Sequence, residues 1–145
     1  MPYDPGWTPQ PGLTAGPPGG DDTVSEAASY FLDPAAAPVL EQFPGLSTTV
    51  LTGQGDDRMM MVLSATAPGH SVPVHSHPHQ QVGVVWAGRA RLVIGGQERV
   101  VSKGDFYRIP PHVPHGDTCL GDEPFVMLDV FCPVREDFLA KLPRP

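Results

Sequence analysis

From residue 46 onward the apolar residues come in short runs, broken by turn residues every eight to twelve positions. That spacing predicts many short strands rather than amphipathic helices. Strands are expected near 47–52, 58–67, 72–77, 81–86, 89–94, 98–101, 106–109, 115–119 and 125–131. Between two of them Gly95-Gly96 predicts a two-residue hairpin turn, because both positions tolerate positive φ. Many short antiparallel strands without an internal repeat predict an all-β sandwich or jelly-roll barrel. Small barrels of this kind take ligands at the mouth or in the lumen.

The pattern differs at the two ends. Residues 1–20 contain six prolines and five glycines, which predicts a disordered tail with no core of its own. Residues 21–45 are read as a short helical and loop extension. There Asp22 caps a helix over 25–32, and Pro34 and Pro38 break the next stretch into turns. A last helix is expected over 135–142, before Pro143, so the barrel and its C-terminal helix occupy 46–145.

Composition narrows the partners. The 145 residues suffice for one hydrophobic core, and the formal net charge of −7, with nine scattered Lys and Arg, offers no basic field to nucleic acid or an anionic membrane. The start of the chain shows no signal-peptide pattern, and no apolar run approaches the roughly 20 residues of a spanning helix, so a cytoplasmic location is expected. Cys119 and Cys132 are read as reduced thiols without a ligand role.

The chemistry concentrates between Gly69 and His115. All six histidines lie there, at positions 70, 75, 77, 79, 112 and 115. His75 and His77 alternate, so on a strand they share a face; Gln81 follows one short turn later, and His115 returns from a separate segment. Three imidazoles and an amide oxygen meeting at one point make a site for a borderline or hard divalent ion. His79 is open as a fifth ligand or a residue of the rim, whereas His70 and His112 read as loop residues, with His112 open as a proton shuttle at the mouth. Asp129 lies inside FVMLDVF, sharing a face with Phe125, Met127 and Phe131, where a carboxylate is costly unless paired or used. A proton-transfer role and an ion pair with Arg135 or Arg108 both remain open for it. Tyr107 and Arg108 alternate, so only one of them points inward.

These spacings resemble the cupin superfamily over about the last hundred residues. The first cupin motif appears as Gly69, His75, His77, Gln81 and Gly88, and the second as Gly104, Pro110 and His115. Gln81 stands where Glu is usual, His112 where Gly or Asn is usual, and Cys119 where the full motif often ends in Asn. A neutral amide in place of a carboxylate leaves the bound ion more positive by one unit, so it polarises a bound carbonyl or water more strongly. HSHPH-x-Q and the ending LDVFCPVREDFL look like the small cupins that open the ring of unsaturated uronates in pectin breakdown. In that group the positions matching Asp129, Phe131 and Arg135 belong to the catalytic pocket. Some aromatic-polyketide cyclases have a similar site, so the resemblance leaves the substrate open.

The resemblance implies a cupin jelly-roll barrel holding one divalent metal ion per chain (zinc, nickel, iron or manganese) on His75, His77, Gln81 and His115. The implied activity is non-redox chemistry on a carbonyl or enol substrate: tautomerisation, ring opening or cyclisation. Asp129 would move the proton, and Arg135 would orient an anionic group of a small-molecule substrate. Two other functions stay open: a dioxygenase using iron, copper or manganese, and a cupin that binds a ligand without chemistry. Cupins commonly form homodimers, and one is expected here.

Overall fold

The computed structural model describes residues 30–143. Ten strands run in chain order: β1 (Val39–Phe43), β2 (Leu46–Val50), β3 (Met60–Thr66), β4 (Ser71–His75), β5 (Gln80–Ala87), β6 (Arg89–Ile94), β7 (Gln97–Ser102), β8 (Phe106–Ile109), β9 (His115–Leu120) and β10 (Phe125–Cys132). One short helix, α1 (Glu136–Leu139), follows. The strands form a six-stranded sheet in the order β1-β2-β3-β10-β5-β8 and a four-stranded sheet in the order β4-β9-β6-β7. Each strand pairing is antiparallel. This is the all-β jelly-roll architecture that the strand spacing predicts.

Alternation decides which residues face the lumen. On β3 the buried positions are Met60, Val62, Ser64 and Thr66, and on β10 they are Phe125, Met127, Asp129 and Phe131. Two apolar clusters result. One joins Val85, Leu92, Val101, Phe125 and Met127 across the two sheets; the other joins Val50, Met60, Val62, Phe131 and Phe138. Phe138 brings α1 into the second cluster, so the helix closes that end of the barrel. The Gly95-Gly96 turn forms as expected, with φ of 55° and 78° and Ile94 paired to Gln97. Both cysteines are free, and among the described residues no helix is long and apolar enough to cross a membrane.

Three local expectations differ from the structure. Val39–Phe43 is a strand, whereas the prolines around it suggest turns. Pro38 sits just before the strand and accepts a hydrogen bond at its carbonyl from Val50, while Pro44-Gly45 forms the hairpin turn into β2, with Gly45 at φ 78°. A proline before an edge strand and another in its turn cost no ladder bond. The expected helix over 135–142 shortens to α1, because the chain tightens into i→i−3 bonds from Lys141 to Phe138 and from Leu142 to Leu139 ahead of Pro143. His77 lies beyond the end of β4, in the loop to β5, and not on a strand with His75. The expected tail over 1–20 lies outside the described residues. So does most of the helix over 25–32, of which residues 30–32 are not helical.

Candidate metal centre

His75 ends β4 and stands directly across the ladder from His115, the first residue of β9. Their rings are 4.5 Å apart. His77 reaches the same point from the loop, its ring 4.8 Å from that of His115 and edge-on to it. That loop is fastened by a bond from the His112 amide to the His77 carbonyl, 2.8 Å. One ring nitrogen from each of His75, His77 and His115 lies within 4.8 Å of the others.

The hydrogen bonds of the rings show which nitrogen is available. Nδ1 of His75 meets the Pro73 carbonyl at 2.8 Å, Nδ1 of His77 the His79 carbonyl at 3.0 Å, and Nδ1 of His115 the Val113 carbonyl at 2.8 Å. A carbonyl only accepts, so each Nδ1 carries the hydrogen and each Nε2 keeps its lone pair. Burial, reinforced by the charges of Arg135 and His115, holds His77 down at about 4. Burial also lowers His115. Both imidazoles are therefore neutral near pH 7, the state a metal ligand requires. On the fourth side Oε1 of Gln81 sits 3.1 Å from Nε2 of His77. That amide oxygen and the Nε2 lone pair of His77 both point to where a cation would sit. The donor set, three imidazole nitrogens and an amide oxygen, fits a divalent transition ion.

Below the imidazoles the lumen carries acid groups. Asp129 is 1% exposed; burial raises it to about 6, and hydrogen bonds from Tyr107 and Gln81 oppose that rise. The Tyr107 hydroxyl donates to its Oδ1. Of the pair at 107 and 108, Tyr107 thus turns inward while Arg108 is exposed. The ion pair left open for Asp129 does not form among the described residues, because Arg135 binds Asp137 instead, through Nε at 2.9 Å and Nη2 at 2.7 Å. That contact lowers Asp137. Arg135 is itself buried, with its guanidinium 5.0 Å from the Phe131 ring and 4.1 Å from the Phe138 ring. Phe131 packs edge-on against His77 on its other side, 5.5 Å away. The structure therefore brings His75, His77, Gln81, His115, Asp129, Phe131 and Arg135 to the lining of one cavity.

The remaining histidines stay out of the cluster. His79 is buried, but its Nε2 meets Glu136 of α1 at 3.1 Å, a contact that also lowers Glu136. His70 and His112 are exposed. The sequence reading missed Asp117, a second acid lining the cavity, raised by burial to about 6 while a 2.9 Å bond from Thr66 opposes the rise. Its signal was present: Asp117 stands two residues after His115 on β9, so both face the same side. Gln42 and Phe43 also line the cavity and went unread with β1.

A two-sheet antiparallel barrel with a histidine triad positioned to bind a metal at the mouth of its lumen is the form of a cupin. The chain belongs to the cupin family. The family description "Cupin domain" matches residues 62–131. The chain is 35% identical over 111 residues to the pectin degradation protein KdgF of Dickeya dadantii, covering 76% of this chain and 97% of that protein. Among solved structures, KdgF from a Halomonas species superposes with a TM-score of 0.67 at 25% identity, over 76% of this chain and 98% of that one. An RmlC-like cupin from Shewanella frigidimarina gives a TM-score of 0.67 at 30% identity, over 77% and 96%.

Proposed function

We propose that this cupin is a metal-dependent enzyme that opens or tautomerises an oxygenated, anionic small molecule without redox change. An unsaturated uronate of pectin breakdown is the preferred substrate. The observation that carries the reading is the buried carboxylate of Asp129, set in the same cavity as the histidine triad and Arg135. The likeness to a pectin degradation protein supports the substrate class.

His75, His77, Gln81 and His115 would hold the ion, which when bound supplies Lewis acidity toward a carbonyl or enol oxygen. The chain's own groups do the rest. Asp137 occupies the Nε and Nη2 edge of Arg135, which leaves the Nη1 side of the fork for a substrate carboxylate. Phe131 and Phe138 flank that guanidinium, fixing its orientation and excluding water around it. Asp129, raised to about 6, is suited to accept a proton from a hydroxyl and return it to carbon, which changes the bonding of the substrate and not its composition.

The test is turnover of an unsaturated uronate, followed as loss of its ultraviolet absorbance, in wild-type protein and in Asp129→Asn, both saturated with metal. Wild-type turnover without oxygen uptake, abolished in the variant, is the expected result. Activity retained in Asp129→Asn sinks the role of Asp129, and oxygen uptake coupled to turnover moves the protein to the dioxygenase reading.

A further inference from the structure

Behind the imidazoles, three strands of the larger sheet contribute one row of residues. The register places Tyr107 of β8 and Asp129 of β10 on either side of Gly83 of β5. Two residues separated by a whole strand have backbones about 10 Å apart, and a side chain on the middle strand ordinarily stands between them. Gly83 has no such side chain. A Cβ built there would lie 2.4 Å from Asp129 Oδ1 and 2.4 Å from the Tyr107 hydroxyl. Gly83 is not at positive φ, so no turn demands a glycine at this position. What requires it is the phenol, which crosses β5 through the notch and donates to Asp129.

The side-chain amide of Gln81, lining the same cavity, helps hold the Asp129 carboxyl down. Oε1 of Gln81 faces the imidazoles, 3.1 Å from Nε2 of His77, which leaves its NH2 for the side of the Asp129 carboxylate, a group that only accepts. Flipped the other way, the amide would offer hydrogens where the site needs a lone pair.

We propose that Tyr107 and Asp129, joined through the notch at Gly83, are positioning residues that hold the Gln81 amide oxygen toward the three imidazoles and so set metal affinity. The proposal rests on the four-residue metal site of the proposed function and is independent of its substrate. Replacing an outer partner of a metal ligand typically costs roughly 10–100-fold in affinity. Asp129→Asn places an amide that itself donates beside Gln81, and its affinity should fall within that range. Tyr107→Phe keeps the ring and the charge of Asp129 and removes only the hydrogen that steadies the carboxylate. Its affinity should fall roughly threefold to tenfold, the worth of one hydrogen bond.

The experiment is chelator competition for Zn2+ with untagged wild-type protein, Gln81→Ala, Asp129→Asn, Tyr107→Phe and the Tyr107→Phe/Asp129→Asn double variant. We expect a larger loss in Asp129→Asn than in Tyr107→Phe, a loss in Gln81→Ala, and a double variant no weaker than Asp129→Asn alone, because both act on one amide. The sign for Tyr107→Phe is decisive. If Asp129 acted on the ion through charge alone, removing its hydrogen-bond donor would leave affinity unchanged or higher, and that result overturns the proposal. Should Asp129→Asn not fold, Tyr107→Phe decides alone. Wild-type affinity in Gln81→Ala overturns the four-residue site and this inference with it. A wild-type protein inactive on uronates, with Tyr107→Phe weakened as expected, refutes the substrate and leaves the inference standing.

Discussion

The two ends of the cavity are built on opposite plans. At the mouth, each imidazole is oriented by a carbonyl two residues away in its own segment: Pro73 for His75, His79 for His77, Val113 for His115. Deeper in, each acid is oriented by a residue far off in the chain: Tyr107 for Asp129 at a separation of 22, Thr66 for Asp117 at a separation of 51. The three imidazoles are thus aimed by local geometry and the acids by closure of the barrel. Damage to the two should read out differently. Loss of a triad imidazole should cost the ion while the barrel stands, and a disturbed acid should cost the packing of the sheet, reaching the ion only through Gln81.

The largest effect expected from this contrast is on the metal. His77→Ala should lose its ion by more than the roughly 10–100-fold typical of an outer partner, while the metal-free protein keeps its far-ultraviolet circular dichroism. Elemental analysis of untagged protein should find about one equivalent of ion in wild type and none in the variant. Equal metal content in the two would mean that the triad is not the site. The complementary blow is Gly83→Ala, which forces a methyl group against Asp129 and Tyr107 at 2.4 Å. Overpacking of this kind costs about 1–3 kcal/mol, visible as a thermal midpoint several degrees lower even without metal. An undisturbed midpoint would show that the row across β8, β5 and β10 yields easily.

The same contrast explains what could be read from the chain. His75, His77 and Gln81 follow short spacings, and His115 returns with a second short motif after Gly104 and Pro110. Asp129 was conspicuous because a charge interrupts an apolar alternation. Gly83 carries no such mark, since a glycine in an apolar strand looks like any weak position. Its meaning depends on which strands flank β5, and that is decided by topology. Tyr107 was narrowed to one of two inward candidates, and only the register with Gly83 chooses it. Strand β1 failed to show for a different reason: its prolines sit at the two places an edge hairpin tolerates them, outside the ladder and in the turn. His77 left the expected strand, but its bond to His79 and the His112 amide bring it to the same point.

The two ends also answer acid with opposite sign. His77, held at about 4 in the folded protein against 6.5 unfolded, binds a proton on unfolding within that window. The unfolded state then holds more protons, so stability present above pH 6.5 is lost as pH falls toward 4. Asp117 and Asp129, raised to about 6 from 3.8, keep a proton that the unfolded chain releases. Their contribution is full below pH 3.8 and is lost as pH rises through 6. In metal-free protein the two trends offset one another between about pH 4 and 6. Asp117→Asn removes one of the acid contributions, so its thermal midpoint should fall more steeply than wild type on acidification across that window. Parallel curves would show that Asp117 ionises like an ordinary carboxylate.

The smallest expected effect concerns the one described non-glycine residue with positive φ. His112 sits at φ 65°, in an exposed stretch, at the cupin position usually held by Gly or Asn. Its contribution to the site is a backbone one, the amide bond to the His77 carbonyl at 2.8 Å, which any non-proline residue could make. The side chain therefore bears a left-handed backbone without a compensating contact to the metal cluster. His112→Gly relieves the strain at some cost in unfolded-chain entropy, and His112→Asn relieves less of it at no such cost; each should stabilise the protein by about 0.5–1 kcal/mol. His112→Ala keeps the strain and should not. Zn2+ affinity should stay at the wild-type value in all three, because the ring lies outside the triad. A loss of turnover at unchanged stability and metal content would instead assign the ring a part in moving protons at the mouth. His112 would then serve the mouth through its ring as well as through its backbone amide.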